Sequence, residues 1–265
     1  MANQLGPVLL TGAAGRMGTS LRESLPAYGH RLRSFDRLPV PGEPDAITAD
    51  LQDAEALAAA MDGVSVVIHL AGIPGEAPFA DILAANIEGT YRLYDAARAA
   101  GVRRIVYASS NHATGFTERP AEGGTVPVDG PVRPDTYYGV SKCFGENLAS
   151  LYADRHGIET VSLRIGSFTA EPRSLRTLAT WLSPGDWARL AHAALTGPVT
   201  GHTVAYGISA NTRAWWDLST ARALGYQPQD DAEAFAPALI AELGELSPDD
   251  PEHRYLGGRF TQSGR

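Results

Sequence analysis

Thr11-Gly12-Ala13-Ala14-Gly15-Arg16-Met17-Gly18 constrains this chain more than any other stretch. It follows the short apolar run Val8–Thr11 and opens an amphipathic segment, so its three glycines sit where a strand turns into a helix. The spacing is Gly-x-x-Gly-x-x-Gly. Gly12 permits the tight turn, Gly15 lets a pyrophosphate approach the backbone, and Gly18 allows close packing of helix on strand. The helix start offers free N–H donors and the positive end of its dipole. A turn made of small residues would carry the same glycines without a ligand. Here, though, strand, turn and helix stand in the order that a dinucleotide site needs.

The rest of the N-terminal half repeats this alternation. A helix is predicted over Met17–Ala27, strands over Arg31–Asp36 and Ala46–Asp50, and a short helix over Ala54–Met61. Val64–Leu70 is almost continuously apolar, as expected of a strand buried on both faces. Ile82, Leu83, Ile87, Leu93, Tyr94 and Ala97 recur at three and four and predict a helix over Phe79–Ala100, closed by Gly101. A strand over Arg104–Ala108, a loop over residues 113–134, a helix over Thr136–His156 and a strand over Glu159–Leu163 follow. Such alternation implies right-handed crossovers and an α/β fold, a doubly wound, mostly parallel sheet of the Rossmann type. Beyond residue 170 the pattern loosens and Pro, Trp and Arg increase. Residues 1–170 are therefore expected to form the dinucleotide core. Residues 171–265 are expected to form a small C-terminal substrate lobe packed on it as one compact unit.

The formal net charge of −8 argues against nucleic acid or an anionic membrane as partner. Cys143 is the one cysteine, so an intrachain disulfide is excluded and a reducing compartment is favoured. Met1–Pro7 lacks the pattern of a signal peptide, and no stretch approaches the roughly 20 apolar residues of a membrane span. A cytoplasmic protein is expected, with no metal.

Asp36 closes the second strand about 20 residues after the glycine loop, where an acid holds the adenosine ribose hydroxyls. Its carboxylate repels a 2′-phosphate, which favours NAD over NADP, although the neighbouring Arg37 could accommodate that phosphate. Asp50-Leu51 closes strand three where an acid could meet the adenine. Equally, Asp53 could cap the next helix with Asp50 merely in the turn. Leu70, Ala71 and Gly72 supply small residues under the cofactor, and His69 reads as a satisfied core histidine. Arg16, Met17, Asn86, Ile165 and Phe168 complete the expected cofactor lining, with Tyr138 and Lys142.

Tyr138-Gly139-Val140-Ser141-Lys142 places Tyr138 and Lys142 at i and i+4 on one helix face. An adjacent ammonium favours a phenolate over its ordinary pKa of about 10, so Tyr138 is expected to act as general base towards a substrate hydroxyl. Ser110 ends the fifth strand at the sheet's carboxyl edge and would hydrogen-bond the reacting oxygen. Ser110, Tyr138 and Lys142 thus form the expected catalytic group. Tyr-x-x-x-Lys is common as a surface pair, but here it comes with a nucleotide loop and a strand-end serine. Cys143 reads as buried packing.

Ala108-Ser109-Ser110-Asn111-His112, Tyr138 to Leu148, Arg164-Ile165-Gly166-Ser167, Thr180-Trp181-Leu182, Gly207 to Asn211 with Trp215-Trp216-Asp217, and Gly257-Gly258-Arg259-Phe260 resemble the uronate dehydrogenases. These belong to the extended branch of the short-chain dehydrogenase/reductase superfamily, and the likeness runs nearly the whole chain. It implies NAD-dependent oxidation of a hexuronic acid, such as D-galacturonate or D-glucuronate, at C1 to the aldarolactone. It further implies that Ser110, Asn111, His112, Tyr138, Ser167 and Arg176 contact the sugar acid. Arg176 has a planar fork suited to a carboxylate, with Arg173 as a nearby competitor. Pro74 stands where the family has a substrate-contacting serine, Phe168 where it has a cysteine, and the loop between His112 and Tyr138 is longer. These departures bear on sugar preference rather than on hydride chemistry. Two rival readings are a nucleotide-sugar epimerase or dehydratase, for which the stretch after residue 170 is short, and a non-catalytic NAD sensor, for which Tyr138 and Lys142 are superfluous. The superfamily often pairs through its two long helices, so a homo-oligomer is expected.

Overall fold

The computed structural model describes residues 6–121 and 123–262; Met1–Leu5 of the N-terminal stretch considered above lie outside them. The strands are β1 (Val8–Thr11), β2 (Leu32–Asp36), β3 (Ile47–Thr48), β4 (Val66–His69), β5 (Arg104–Ser110), β6 (Glu159–Ile165), β7 (Ser167–Phe168), β8 (Trp181–Leu182) and β9 (His202–Gly207). Seven of them form one parallel sheet in the order β3-β2-β1-β4-β5-β6-β9, while β7 and β8 pair separately. The chain winds outward in both directions from β1 and β4. The crevice at their carboxyl ends is where such sheets bind ligands.

The helices used below are α1 (Arg16–Ser24), α2 (Ala54–Ala60), α3 (Phe79–Ile82), α4 (Gly89–Ala99), α5 (Tyr137–His156), α6 (Thr177–Thr180) and α7 (Pro184–Thr196). Side chains alternate across the strands. Val8, Leu10, Val66, Ile68, Val106 and Val161 face one way, against Leu21 of α1 and Trp187 and Leu190 of α7. Leu9, Val67 and Ile105 face the other way, against Leu57 of α2, Leu93 and Tyr94 of α4, and Leu148 and Tyr152 of α5. Both faces are covered, which explains why the central strands read as unbroken apolar runs.

The structure departs from the expected elements in four places. The first helix ends at Ser24 and tightens to a 3₁₀ turn over Leu25–Tyr28, where Pro26 lacks the N–H an α-helix would use. β5 extends past Ala108 to Ser110, the residue expected at its end, because Ser109 and Ser110 pair with Arg164 and Ile165 of β6. The long helix from Phe79 is interrupted by a π-helical turn over Leu83–Glu88, with Asn86 buried inside it. Finally, α7 and β9, both from the stretch expected to form a separate lobe, join the layers of the sheet. The 202–207 segment was missed because its alternation is too short to stand out from the irregular sequence around it.

What remains of the C-terminal stretch caps the carboxyl edge. Val126, Ile208, Trp215, Trp216, Leu218 and Leu256 form one small core there, and Leu178, Trp181, Ala232 and Ala236 another. Bridges from Glu118 to Tyr255 and from Val126 to Trp216 tie the loop after β5 to this cap. No helix among the described residues is long and apolar enough to cross a membrane.

Candidate active site

A cavity of about 600 Å³ opens at the carboxyl ends of β1, β2, β4, β5 and β6. Gly12, Gly15, Arg16, Met17, Gly18, Asp36, Arg37, Asp50, Leu51, Leu70, Ala71, Gly72, Ile165 and Phe168 line it, together with Pro74, Ser110, Asn111, His112, Tyr138 and Lys142. Residues from most of the chain's length therefore meet in one crevice.

The dinucleotide end is built as the spacing requires. Gly12 has φ +75°, and a Cβ there would lie 2.8 Å from the backbone of Leu70 and Ala71. A Cβ on Gly18 would lie 2.2 Å from the Gly12 carbonyl oxygen, so helix and turn touch backbone to backbone. α1 starts after Gly15 without a side-chain cap and without an acidic residue in its first turn. Its first N–H groups are left for a phosphate, so the cradle fits the pyrophosphate of a dinucleotide. Asp36 ends β2 and is fixed by the N–H groups of Ala14 and Leu38, each donating to one carboxylate oxygen at 2.9 Å. Asp50 lines the crevice and accepts the Gln52 N–H at 2.9 Å, while Asp53 caps α2 through the Ala56 N–H at 3.0 Å.

Tyr138 and Lys142 lie one turn apart on α5. Thr136 caps that helix by accepting the Gly139 N–H at 3.0 Å, and the Glu76 carboxylate accepts the N–H groups of Tyr137 and Tyr138 at 3.3 and 2.9 Å. The Lys142 ammonium donates to the Ala108 carbonyl at 2.8 Å and sits 5.3 Å from the centre of the Tyr138 ring. Burial holds Lys142 down at about 8, with Glu146 opposing. Burial also pushes the Tyr138 phenol up to about 12; the Ser110 hydroxyl works against that shift and the Asp135 charge adds to it. The direction is opposite to the lowering expected from the adjacent ammonium. Spacing put the ammonium beside the ring, but the sequence could not show that both groups are desolvated, which costs each its charged form.

Ser110 stands at the end of β5, with Asn111 and His112 directly after it. Ser110 caps a short 3₁₀ turn over Asn111–Thr114 and accepts the His112 N–H at 3.3 Å. Asn111 donates its amide to the Leu256 carbonyl at 2.8 Å. His112 Nδ1 lies 2.8 Å from Asp135 Oδ2, and the Phe260 ring packs on the imidazole with centres 4.3 Å apart.

Three expected site residues stand outside the cavity wall. Asn86 is 1% exposed, and its amide clamps the backbone of Ile73 (2.7 and 3.1 Å) and the Ser141 hydroxyl. It therefore holds the segment under the cofactor rather than lining the crevice. A π-helical turn at such a place is a recurrent way of aiming one side chain. Ser167 pairs with the Thr180 hydroxyl at 2.9 Å. Arg176 donates to the carbonyls of Tyr255 and Leu256 and lines a second cavity of about 340 Å³. It shares the Leu256 carbonyl with Asn111, so the two side chains meet on one backbone oxygen. His69 is a core histidine held by Thr11 and Thr90, pushed down to about 3 by burial and by Lys142. Cys143 is buried, and burial raises its thiol to about 12.

The sequence reading passed over Glu76, Asp135 and the buried Glu146–Arg164 pair. Glu76 could have been sought as an anion for the start of α5, and Asp135 by its place beside the capping Thr136. Glu146 and Arg164 carried no local signal.

Fold and site together define a dinucleotide-binding oxidoreductase of the Rossmann type with a serine, tyrosine and lysine at its centre. The chain belongs to the NAD dependent epimerase/dehydratase family, whose description matches residues 8–208. It is 45% identical to the uronate dehydrogenase of Pseudomonas syringae pv. tomato over 261 residues, 97% of this chain and 94% of that protein. The uronate dehydrogenase of Agrobacterium tumefaciens, in a variant complexed with NAD, superposes with a TM-score of 0.90 at 44% identity over 98% of both chains. A glucuronic acid dehydrogenase from Chromohalobacter salexigens gives 0.91 at 43% identity over 98% of both chains.

Proposed function

We propose that this chain oxidises a hexuronate, D-galacturonate or D-glucuronate, at C1 to the aldarolactone with NAD as acceptor. The observation that carries the reading is the meeting of Ser110, Asn111, His112, Tyr138 and Lys142 with the glycine loop in one crevice. The likeness to uronate dehydrogenases over nearly the full length of both chains supports it.

Tyr138 takes the proton of the C1 hydroxyl while Ser110 hydrogen-bonds the same oxygen. When bound, NAD supplies the hydride acceptor and, through its cationic nicotinamide, the positive charge that a buried phenol needs to ionise near neutrality. Gly12, Gly15 and the start of α1 hold the pyrophosphate, and Asp36 holds the ribose hydroxyls and disfavours a 2′-phosphate. Lys142 hydrogen-bonds the nicotinamide ribose. Asn111 and His112 bind sugar hydroxyls as donor and acceptor. Arg176 is the proposed partner of the carboxylate, a charged hydrogen bond worth about 1.5–3 kcal/mol. Its half-buried guanidinium, hydrogen-bonded to carbonyls and with its pKa lowered by desolvation against the charges of Glu252 and Asp135, supports that role, since a partly desolvated cation gains from an arriving anion. Ser167, through Thr180 and the start of the cap, completes the sugar-acid side, and Pro74 presents an apolar ring where the family carries a hydroxyl.

Residues 171–265, apart from α7 and β9, act as the substrate-binding cap. Pairing of two copies through the helices from Phe79 and from Tyr137 is supported by exposed Phe79, Leu83, Tyr91, Tyr137, Val140 and Leu151 on those elements. A cytoplasmic setting suits the single buried thiol.

The position of oxidation separates this reading from that of an epimerase or dehydratase. With [1-¹³C]galacturonate and NAD, the anomeric carbon signals are expected to be replaced by a lactone or carboxyl carbon. Persistence of the anomeric signals while NADH accumulates would place oxidation elsewhere on the ring and overturn the C1 assignment.

A further inference from the structure

Asp135 has no exposed side-chain surface, yet it lies one residue before the cap of α5 and beside the active-site crevice. Its carboxylate fills a recess made by two glycines. A Cβ on Gly115 would sit 2.0 Å from Asp135 Oδ2, and one on Gly257 would sit 1.7 Å from it. The Gly257 N–H donates to the Gly115 carbonyl at 2.8 Å, which closes the recess from the C-terminal side. Both oxygens are engaged: Oδ1 accepts the Thr136 hydroxyl at 3.0 Å, and Oδ2 meets His112 Nδ1 at 2.8 Å. Arg176 is near enough for the charge of Asp135 to act on it.

We propose that Asp135 is the positioning residue of the sugar-acid site, holding His112 in the tautomer whose Nε2 accepts a hydrogen bond from a substrate hydroxyl. The inference rests on the reading that the crevice takes a hexuronate. A carboxylate only accepts, so the nitrogen facing it must carry the proton. In the neutral ring that leaves Nε2 as the lone-pair acceptor of a side chain that lines the cavity. The ring cannot turn to exchange its nitrogens without breaking the bond to Asp135 and displacing Phe260, which packs on it. The site is thereby built to read a hydroxyl as donor at this point. Because the recess belongs jointly to the loop after β5 and to the C-terminal Gly257, it also fixes the wall that presents Asn111 and Arg176 through the Leu256 carbonyl.

The test is the tautomer of His112 in the wild-type protein, read from ¹⁵N–¹H correlations of the ring with the signal assigned by its loss in His112→Gln. Protonated Nδ1 with unprotonated Nε2 is expected; the opposite tautomer overturns the proposal, whether or not any uronate turns over. In kinetics, Asp135→Asn is expected to raise the uronate KM about ten-fold or more while the KM for NAD stays within two-fold. The double variant His112→Ala/Asp135→Asn should be no worse than His112→Ala alone. Independent, additive losses would show that Asp135 does not act through His112. If Asp135→Asn does not fold, the wild-type tautomer still decides. If no uronate is a substrate, the proposed function fails while the tautomer measurement reports on Asp135 separately.

Discussion

Tyr138→Phe is expected to lower kcat by about 10²–10⁴-fold, the contribution of a positioned general base, with NAD affinity unchanged. The phenylalanine keeps the ring, and the ring is what packs: Tyr138 is 8% exposed and lies edge-on to His112 with centres 5.8 Å apart. Only the hydroxyl is lost, and with it the one group on α5 placed to take a proton beside Ser110. The glycine loop and Asp36 lie on other elements and keep their geometry, so titration of the variant with NAD should match wild type. A variant retaining a third or more of wild-type kcat would remove Tyr138 from the role of base. His112, the nearest alternative on the same wall, would then be the candidate.

Arg164→Ala is expected to destabilise the fold by about 3–5 kcal/mol, the cost of leaving one member of a buried ion pair alone. Arg164 donates through Nε and Nη2 to both oxygens of Glu146 at 2.9 and 2.7 Å, and through Nη1 to the Val128 carbonyl at 2.8 Å. The two side chains are 4% and 6% exposed. Ser109 donates to the same Glu146 at 2.6 Å, so the pair also braces the strand end that carries Ser110. Alanine would strand a desolvated carboxylate and release the loop at Val128. For a chain of this size the loss corresponds to a Tm lower by roughly 6–20 °C, readable by calorimetry. Replacing both partners, as in Arg164→Met with Glu146→Leu, should cost less than Arg164→Ala alone, because no charge is then left unpaired. A Tm within 2 °C of wild type for Arg164→Ala would show that water or a neighbour compensates Glu146.

The parts of the site that were legible in the sequence are those set by local spacing. The glycine loop, Asp36 at a strand end and the Tyr138–Lys142 pair each fall within one element or its turn, where backbone geometry fixes the relation. Ser110 was legible because strand ends of a doubly wound sheet define one edge. Contacts made when the chain returns from afar were not legible. Asn111 meets the Leu256 carbonyl 145 residues on, and His112 meets Asp135 across a loop of low regularity. Asn86 was expected to line the cofactor site; the π-helical turn that turns it to Ile73 has no sequence signature of its own. Arg176 was assigned by resemblance; in the fold it lines a second cavity and meets Asn111 only through the Leu256 carbonyl that both donate to. The acidity of Tyr138 was not legible for a related reason: spacing shows which charge is near, while burial, the largest influence on the phenol here, belongs to the whole fold.

The central claim is oxidation of a sugar acid whose carboxylate the site recognises. It is tested most directly by NADH formation at 340 nm with purified protein, NAD, and galacturonate, glucuronate, mannuronate, galactose and glucose in parallel. Turnover of galacturonate or glucuronate, with galactose and glucose slower by an order of magnitude or more in kcat/KM, is the expected result. Equal turnover of the neutral hexoses, or none of the uronates, would contradict it and leave only the fold, the cofactor and the Ser110–Tyr138–Lys142 group in place.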